Sequence, residues 1–214
     1  RKMARETRLS VNDLIYPLFV THGRDVRAEI APMPGVYQLS LDHLIEEVKT
    51  VAELGVPAVL LFGIPETKDA EGTEAYEPNG IVQEAILVIK QTTPELVVIT
   101  DVCLCEYTDH GHCGVIADGA VDNDRTLELL ARTAVSQTEA GADMVAPSAL
   151  IDGQVPPLRA ALADPLLCAP PLMTYSAPPA SPFSRPFPVP PPPPPDFCIL
   201  PAYPPLPPPP HERT

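Results

Sequence analysis

Proline placement divides this chain in two. Of its 31 prolines, 23 fall in residues 156–214 and only eight precede them. Proline lacks the backbone N–H that a helix interior or a sheet ladder requires, so such a density forbids continuous regular structure. The runs Pro190–Pro195 and Pro207–Pro210 read as polyproline II, extended and solvated. All 11 glycines lie at or before Gly153, and the last of the four lysines is Lys90. A packed core has to come from the residues before the proline tract.

Charge follows the same boundary. The chain carries 28 acidic and 14 basic residues, a net charge of −14. After residue 155, three acids (Asp164, Asp196, Glu212) meet three arginines (Arg159, Arg185, Arg213), so the excess belongs to the first part. An acidic chain with no basic run offers no electrostatic footprint for nucleic acid or an anionic membrane surface. No apolar run approaches the roughly 18 residues of a membrane span, and Arg1–Arg5 leads into no signal-peptide core. The expected location is cytoplasmic. Five cysteines, three of them within eleven residues, point to metal or redox chemistry rather than a disulfide framework.

The early pattern alternates strand and helix. Leu14–Val20 reads as a buried strand, with Pro17 expected at a strand start or bulge. Leu41, Leu44, Ile45, Val48, Val51 and Leu54 share one face of a helix with Ser40 as N-cap and Gly55 as stop. Pro57–Gly63 is an all-apolar run of the parallel-sheet kind. A loop over 66–79, a helix over Ile81–Lys90 and a strand over Leu96–Asp101 follow. Asp122-Asn123-Asp124 caps a helix that stops at Gly141, and Ala142–Pro147 is the next strand. Val155–Leu162 reads as a helix with prolines in its first turn, and Leu172–Ser176 as a fifth strand. Such alternation implies right-handed βαβ units and a parallel sheet, either doubly wound or a (β/α)8 barrel.

The densest chemistry lies in Asp101-Val102-Cys103-Leu104-Cys105-Glu106-Tyr107-Thr108-Asp109-His110-Gly111-His112-Cys113-Gly114. It begins where a strand ends, the edge that carries active sites in α/β folds. Three thiols in C-x-C-x7-C spacing can converge on one soft cation, leaving a fourth position open as in catalytic zinc sites. Either His110 or His112 can stand in for one sulfur on spacing alone. The plainer alternative is a set of reduced thiols at a buried strand end.

This stretch, with Leu14–Val20, Met33–Tyr37, Val121–Asp124 and Val145–Ser148, resembles the porphobilinogen synthase (5-aminolevulinate dehydratase) family across residues 4–155, fading by about 187. The resemblance implies a (β/α)8 TIM barrel that condenses two 5-aminolevulinate molecules into porphobilinogen in tetrapyrrole and heme biosynthesis. It implies the zinc-dependent branch, with Cys103, Cys105 and Cys113 as metal ligands and magnesium as a second candidate ion. Asp101 would orient groups or accept protons beside the metal. Ser148, Tyr175 and Phe187 match substrate-pocket positions. The family forms homo-octamers through an N-terminal arm.

The resemblance also locates departures. The family's Tyr-Ser-Ala-Lys, whose lysine forms the first Schiff base, reads Tyr175-Ser176-Ala177-Pro178 here. Proline has no primary amine, and the second lysine, in a Val-Lys-Pro context, has no counterpart. Residues 1–13 then correspond to a remnant of the arm, 14–177 to a partial barrel of about five βα units, and 178–214 to an irregular proline-rich tail. The expectation is a member of the family that is inactive as written. The alternative is a non-catalytic zinc-binding partial barrel whose tail docks SH3- or WW-like modules.

Overall fold

The computed structural model describes residues 8–149, 151–167 and 169–175. Strand β1 (Ile15–Thr21) is followed by two short strands, β2 (Arg27–Glu29) and β3 (Tyr37–Leu39), and by helix α1 (Leu41–Glu53). Strand β4 (Ala58–Ile64), helix α2 (Ile81–Thr92) and strand β5 (Val97–Val102) come next. A small hairpin, β6 (Ile116–Ala117) and β7 (Ala120–Val121), precedes helix α3 (Asn123–Glu139), strand β8 (Met144–Pro147) and helix α4 (Val155–Ala161).

The main sheet runs β2-β3-β1-β4-β5-β8. Its four long strands pair in parallel and in chain order, with Ile15 opposite Ala58, Ala58 opposite Val97 and Ile99 opposite Met144. Leu18, Val20, Val59, Leu61 and Val98 form one core with Leu44, Val48 and Val51 of α1 and Ile86 and Ile89 of α2. Further along, Val102 and Val145 pack with Leu130 and Ala134 of α3 and Leu158 of α4. Each such fully buried aliphatic side chain contributes about 1.5–3 kcal/mol relative to exposure. All four helices therefore cover the same face. A doubly wound sheet would carry helices on both faces, so one-sided cover with sequential strand order gives part of a TIM barrel.

Local chemistry explains the element ends. Asp122 caps α3 by accepting from the Arg125 N–H at 3.1 Å. Gly55 and Gly141 end the α1 and α3 turns with φ of +76° and +108°, where a side chain would be strained. Ser40 holds the N-cap position of α1, but its hydroxyl makes no cap bond there. It accepts from Val26 N–H at 2.9 Å and lies 2.6 Å from Asp42 Oδ1, which fastens the β2–β3 segment to the helix.

Two expectations change. Pro17 sits within β1 rather than at its start or in a bulge. The ladder between β1 and β3 begins only at Phe19, so one side of β1 is a free edge at Pro17 and no N–H is needed there. Of the fifth strand expected at Leu172–Ser176, the described residues, which end at 175, show one parallel bridge between Val145 and Leu172. The β2–β3 pair and the β6–β7 hairpin carry too few residues to show a strand period. Pro178, Phe187 and the polyproline runs lie outside the described residues. No helix among the described residues is long and apolar enough to cross a membrane.

Candidate metal centre and active site

The site is built at the C-terminal ends of β5 and β8. Thr100 pairs with Val145 and Asp101 with Ala146, so parallel register carries Asp101 and Ser148 to the same rim. Ser148 Oγ donates to Asp101 Oδ2 at 3.0 Å, and Tyr175 reaches Asp101 Oδ1 through its hydroxyl at 3.4 Å. Behind the strand, buried Gln137 on α3 donates from Nε2 to the Asp101 carbonyl at 3.2 Å. Asp101 does not cap backbone N–H groups. Its carboxylate meets side-chain hydroxyls.

Immediately beyond, the chain turns so that three cysteines converge. The Sγ atoms of Cys103, Cys105 and Cys113 all lie within 4.8 Å of one another, and Cys103 Sγ is 3.3 Å from Cys105 Sγ. A zinc ion with Zn–S bonds of about 2.3 Å in tetrahedral geometry spaces its sulfurs about 3.8 Å apart. The three-thiol donor set therefore fits a soft divalent cation, both in chemistry and in reach. Spacing left His110 and His112 as substitutes for a sulfur. The structure places them against each other, Nδ1 to Nδ1 at 3.1 Å, and the thiol group contains neither.

The loop that presents these residues is pinned from two sides. Asp109 N–H donates to Asp69 O at 3.0 Å and Asp69 N–H to Tyr107 O at 3.3 Å, tying it to the β4–α2 connection. Thr108 Oγ1 donates to His112 O at 2.8 Å, closing the turn that returns Cys113 to Cys103. Tyr107 stands in the core with its hydroxyl over Gly63 of β4, where any Cβ would overlap it. Gly114 is equally constrained, because a Cβ there would overlap Thr126 of α3. These two glycines let the loop approach strand and helix backbones closely.

Electrostatics separates the acids from the thiol. Burial pushes the Asp101 carboxyl well above the ordinary carboxylate range, and the nearby Glu106 and Cys103 charges push it further; the Ser148 and Tyr175 hydroxyls oppose this. Glu106, again chiefly through burial and then through Cys103, is raised to about 7. Cys103 moves the other way: hydrogen bonds from Cys105 and Cys113 hold its thiol well below the usual range despite burial. The Tyr175 phenol is raised by burial and by Asp101. The result is a thiol shifted toward its ionised form beside two carboxyls shifted toward their neutral forms.

Glu106 received no role from the sequence. It lies 3.3 Å from Cys105 Sγ, and its Oε atoms share reach with Asp101 and Cys103 in a second possible donor group. Its adjacency to C-x-C was the available signal. Asp25, Asp42 and His43 also approach one another, but they are largely solvent-facing, and exposed acidic groups of this sort are common without a metal.

Comparison with known proteins identifies the chain's relatives. A family model described as delta-aminolevulinic acid dehydratase matches residues 1–189. A protein of that name from Halalkalibacterium halodurans is 54% identical over 187 residues, covering 87% of this chain and 57% of that protein. The Bacillus subtilis protein of the same name is 51% identical, with 87% and 58% covered. One from Ruminiclostridium josui is 46% identical over 187 residues and is 91% covered. Among solved structures, the delta-aminolevulinic acid dehydratase (porphobilinogen synthase) of Toxoplasma gondii ME49, in complex with the reaction product porphobilinogen, superposes with a TM-score of 0.81 at 34% identity. That match covers 87% of this chain and 54% of the other. The chain thus spans somewhat over half the length of most of these relatives.

Proposed function

The chain belongs to the delta-aminolevulinic acid dehydratase family, and from that premise we propose that it retains the family's metal centre and part of its substrate pocket but lacks the first of its Schiff-base amines. The relatives that carry the name are lyases of heme biosynthesis. The observation that carries the proposal is the convergence of three thiol sulfurs beside the hydrogen-bonded Asp101–Ser148 pair. The metal is zinc, held by Cys103, Cys105 and Cys113. When bound, it would supply a Lewis acid with an open position.

The chain's own residues have definite tasks in this reading. Cys103, its thiol acidified by two neighbouring thiols, is ready to ligate near neutral pH. The Asp101 carboxyl, shifted by burial toward its protonated form and oriented by Ser148 and Tyr175, is placed to exchange a proton with a carbonyl or amine of 5-aminolevulinate. Loop residues 101–114 are tied to the β4–α2 connection, which holds the thiols and Asp101 at one rim of the sheet. Pro178, in place of the lysine of Tyr-Ser-Ala-Lys, supplies no amine, so no Schiff base forms with substrate at this position.

The test has two arms on the full 214-residue chain. Metal analysis after dialysis should find one zinc per chain, lost on Cys103→Ser. Borohydride reduction in the presence of labelled 5-aminolevulinate should leave no label on the protein. A chain that takes up no zinc, or that is covalently labelled, sinks the corresponding half of the proposal.

A further inference from the structure

Of the chain's asparagines, Asn12, Asn79 and Asn123, only Asn79 is followed by glycine. Asn79 is exposed in the turn over residues 77–80 that leads into α2, and its side chain makes no hydrogen bond among the described residues. The other two are held back. Asn123 Nδ2 donates to Asp152 O at 3.2 Å, and its Oδ1 accepts from Asp152 N–H at 3.0 Å. Asn12 is exposed, but it precedes Asp13, whose side chain crowds its own amide nitrogen and whose N–H is tied to Ser10 O at 3.1 Å.

Packing fixes the glycine at position 80. A Cβ there would lie 2.5 Å from the Glu74 carbonyl oxygen and from Gln83 Oε1, so a larger residue would overlap backbone. The fold thus keeps beside Asn79 the residue that least hinders attack by its own nitrogen.

We propose that Asn79–Gly80 is a self-modification site, where the exposed asparagine converts to aspartate and isoaspartate without an enzyme. The Gly80 amide nitrogen, its proton lost to solvent base, attacks Asn79 Cγ and forms a C–N bond. The Cγ–Nδ2 bond breaks, and Nδ2 leaves as ammonia. The product is a five-membered imide, whose closure is fast because both reacting groups belong to one residue pair. Water then opens either imide carbonyl, giving aspartate or an isoaspartate whose backbone runs through the side-chain carbon. One water is consumed and one ammonia released, with no oxidant or reductant.

One bond opposes the attack: Gly80 N–H donates to Glu77 O at 3.0 Å. Residues 77, 78 and 79 are all exposed, so that bond opens without uncovering the core. Its presence slows the reaction by no more than about tenfold relative to unfolded chain. The consequence falls on the β4–α2 connection. Glu74 Oε1 accepts from Ile81 N–H at 3.3 Å, and the same connection ties the thiol loop through Asp69. Isoaspartate inserts an extra backbone carbon between Glu74 and Ile81, which slackens that segment.

Ageing the full 214-residue chain at mildly alkaline pH and physiological temperature tests the proposal, with a free peptide of residues 75–84 as the unfolded reference. Peptide mapping with electron-transfer fragmentation should find both aspartate and isoaspartate at position 79, with one ammonia released per event. The rate should lie within about tenfold of the peptide's, while Asn12 and Asn123 convert at least about tenfold more slowly. Asn79→Gln should remove the signal and leave the melting temperature of fresh chain unchanged. Aspartate without isoaspartate would mean direct hydrolysis and would overturn the imide route. An Asn79 still intact once the peptide has converted, or equal conversion at all three asparagines, would overturn the site itself.

Discussion

The hydroxyl of Ser148 donates to Asp101 Oδ2 at 3.0 Å, joining the ends of two neighbouring parallel strands across 47 residues of sequence. The bond orients a carboxyl that burial shifts toward its neutral form, and it rests on the register that sets Asp101 opposite Ala146.

Removing that donor should be measurable. Ser148→Ala is expected to lower stability by about 0.5–1.5 kcal/mol, the usual net worth of one internal hydrogen bond. It should also raise the Asp101 pKa, since Ser148 is a group that lowers it. Urea denaturation gives the first quantity and carboxyl NMR titration the second. An unchanged titration would show that the bond does not orient the acid.

The thiols should differ in rank. Cys103 is buried while Cys105 and Cys113 are partly accessible, and both neighbours acidify it. Cys103→Ser should therefore weaken zinc binding most, by more than about 100-fold, because it removes the central ligand and leaves a desolvated hydroxyl. Competition with a chromophoric chelator reads the order directly.

Gly63 should reject even a methyl group. Gly63→Ala forces the substituent into the Tyr107 hydroxyl, with an expected loss of about 1–3 kcal/mol from overpacking. Pairing it with Tyr107→Phe should recover part of the loss in a double-mutant cycle. Additive losses would place the strain elsewhere.

The Glu106 contribution to the stability of the metal-free chain should fall as pH rises. Folding raises Glu106 from 4.5 to about 7, so the fold favours its neutral form. That contribution is fully present below the unfolded value near 4.5 and is lost as pH climbs through about 7. It amounts to at most about 3 kcal/mol by linkage. Melts in chelator at pH 5 and pH 8 should show the decline, and Glu106→Gln should flatten it.

Much of the scaffold was legible from patterning. The helical face Leu44–Val48–Val51 and the apolar run Ala58–Ile64 appear within a residue or two of their expected limits, because burial against one neighbour imposes a period on the sequence. The three-residue strands β2 and β3 were invisible, being too short to show a period and held by pairing rather than burial. Leu172 looked like part of a strand because its neighbours are apolar, yet the described residues show one bridge there.

By itself, the sequence determined the class of fold and the C-x-C-x7-C spacing of its thiols, because period and residue type are both written in residue identity. Tertiary structure decided the rest. One-sided helix cover chose a barrel over a doubly wound sheet, and loop closure brought Cys113 back to Cys103 while setting His110 and His112 against each other. Packing also turned Glu106 from an unremarkable loop acid into one raised to about 7. Burial and the approach of distant charges depend on where the chain returns, and spacing along the chain does not record that.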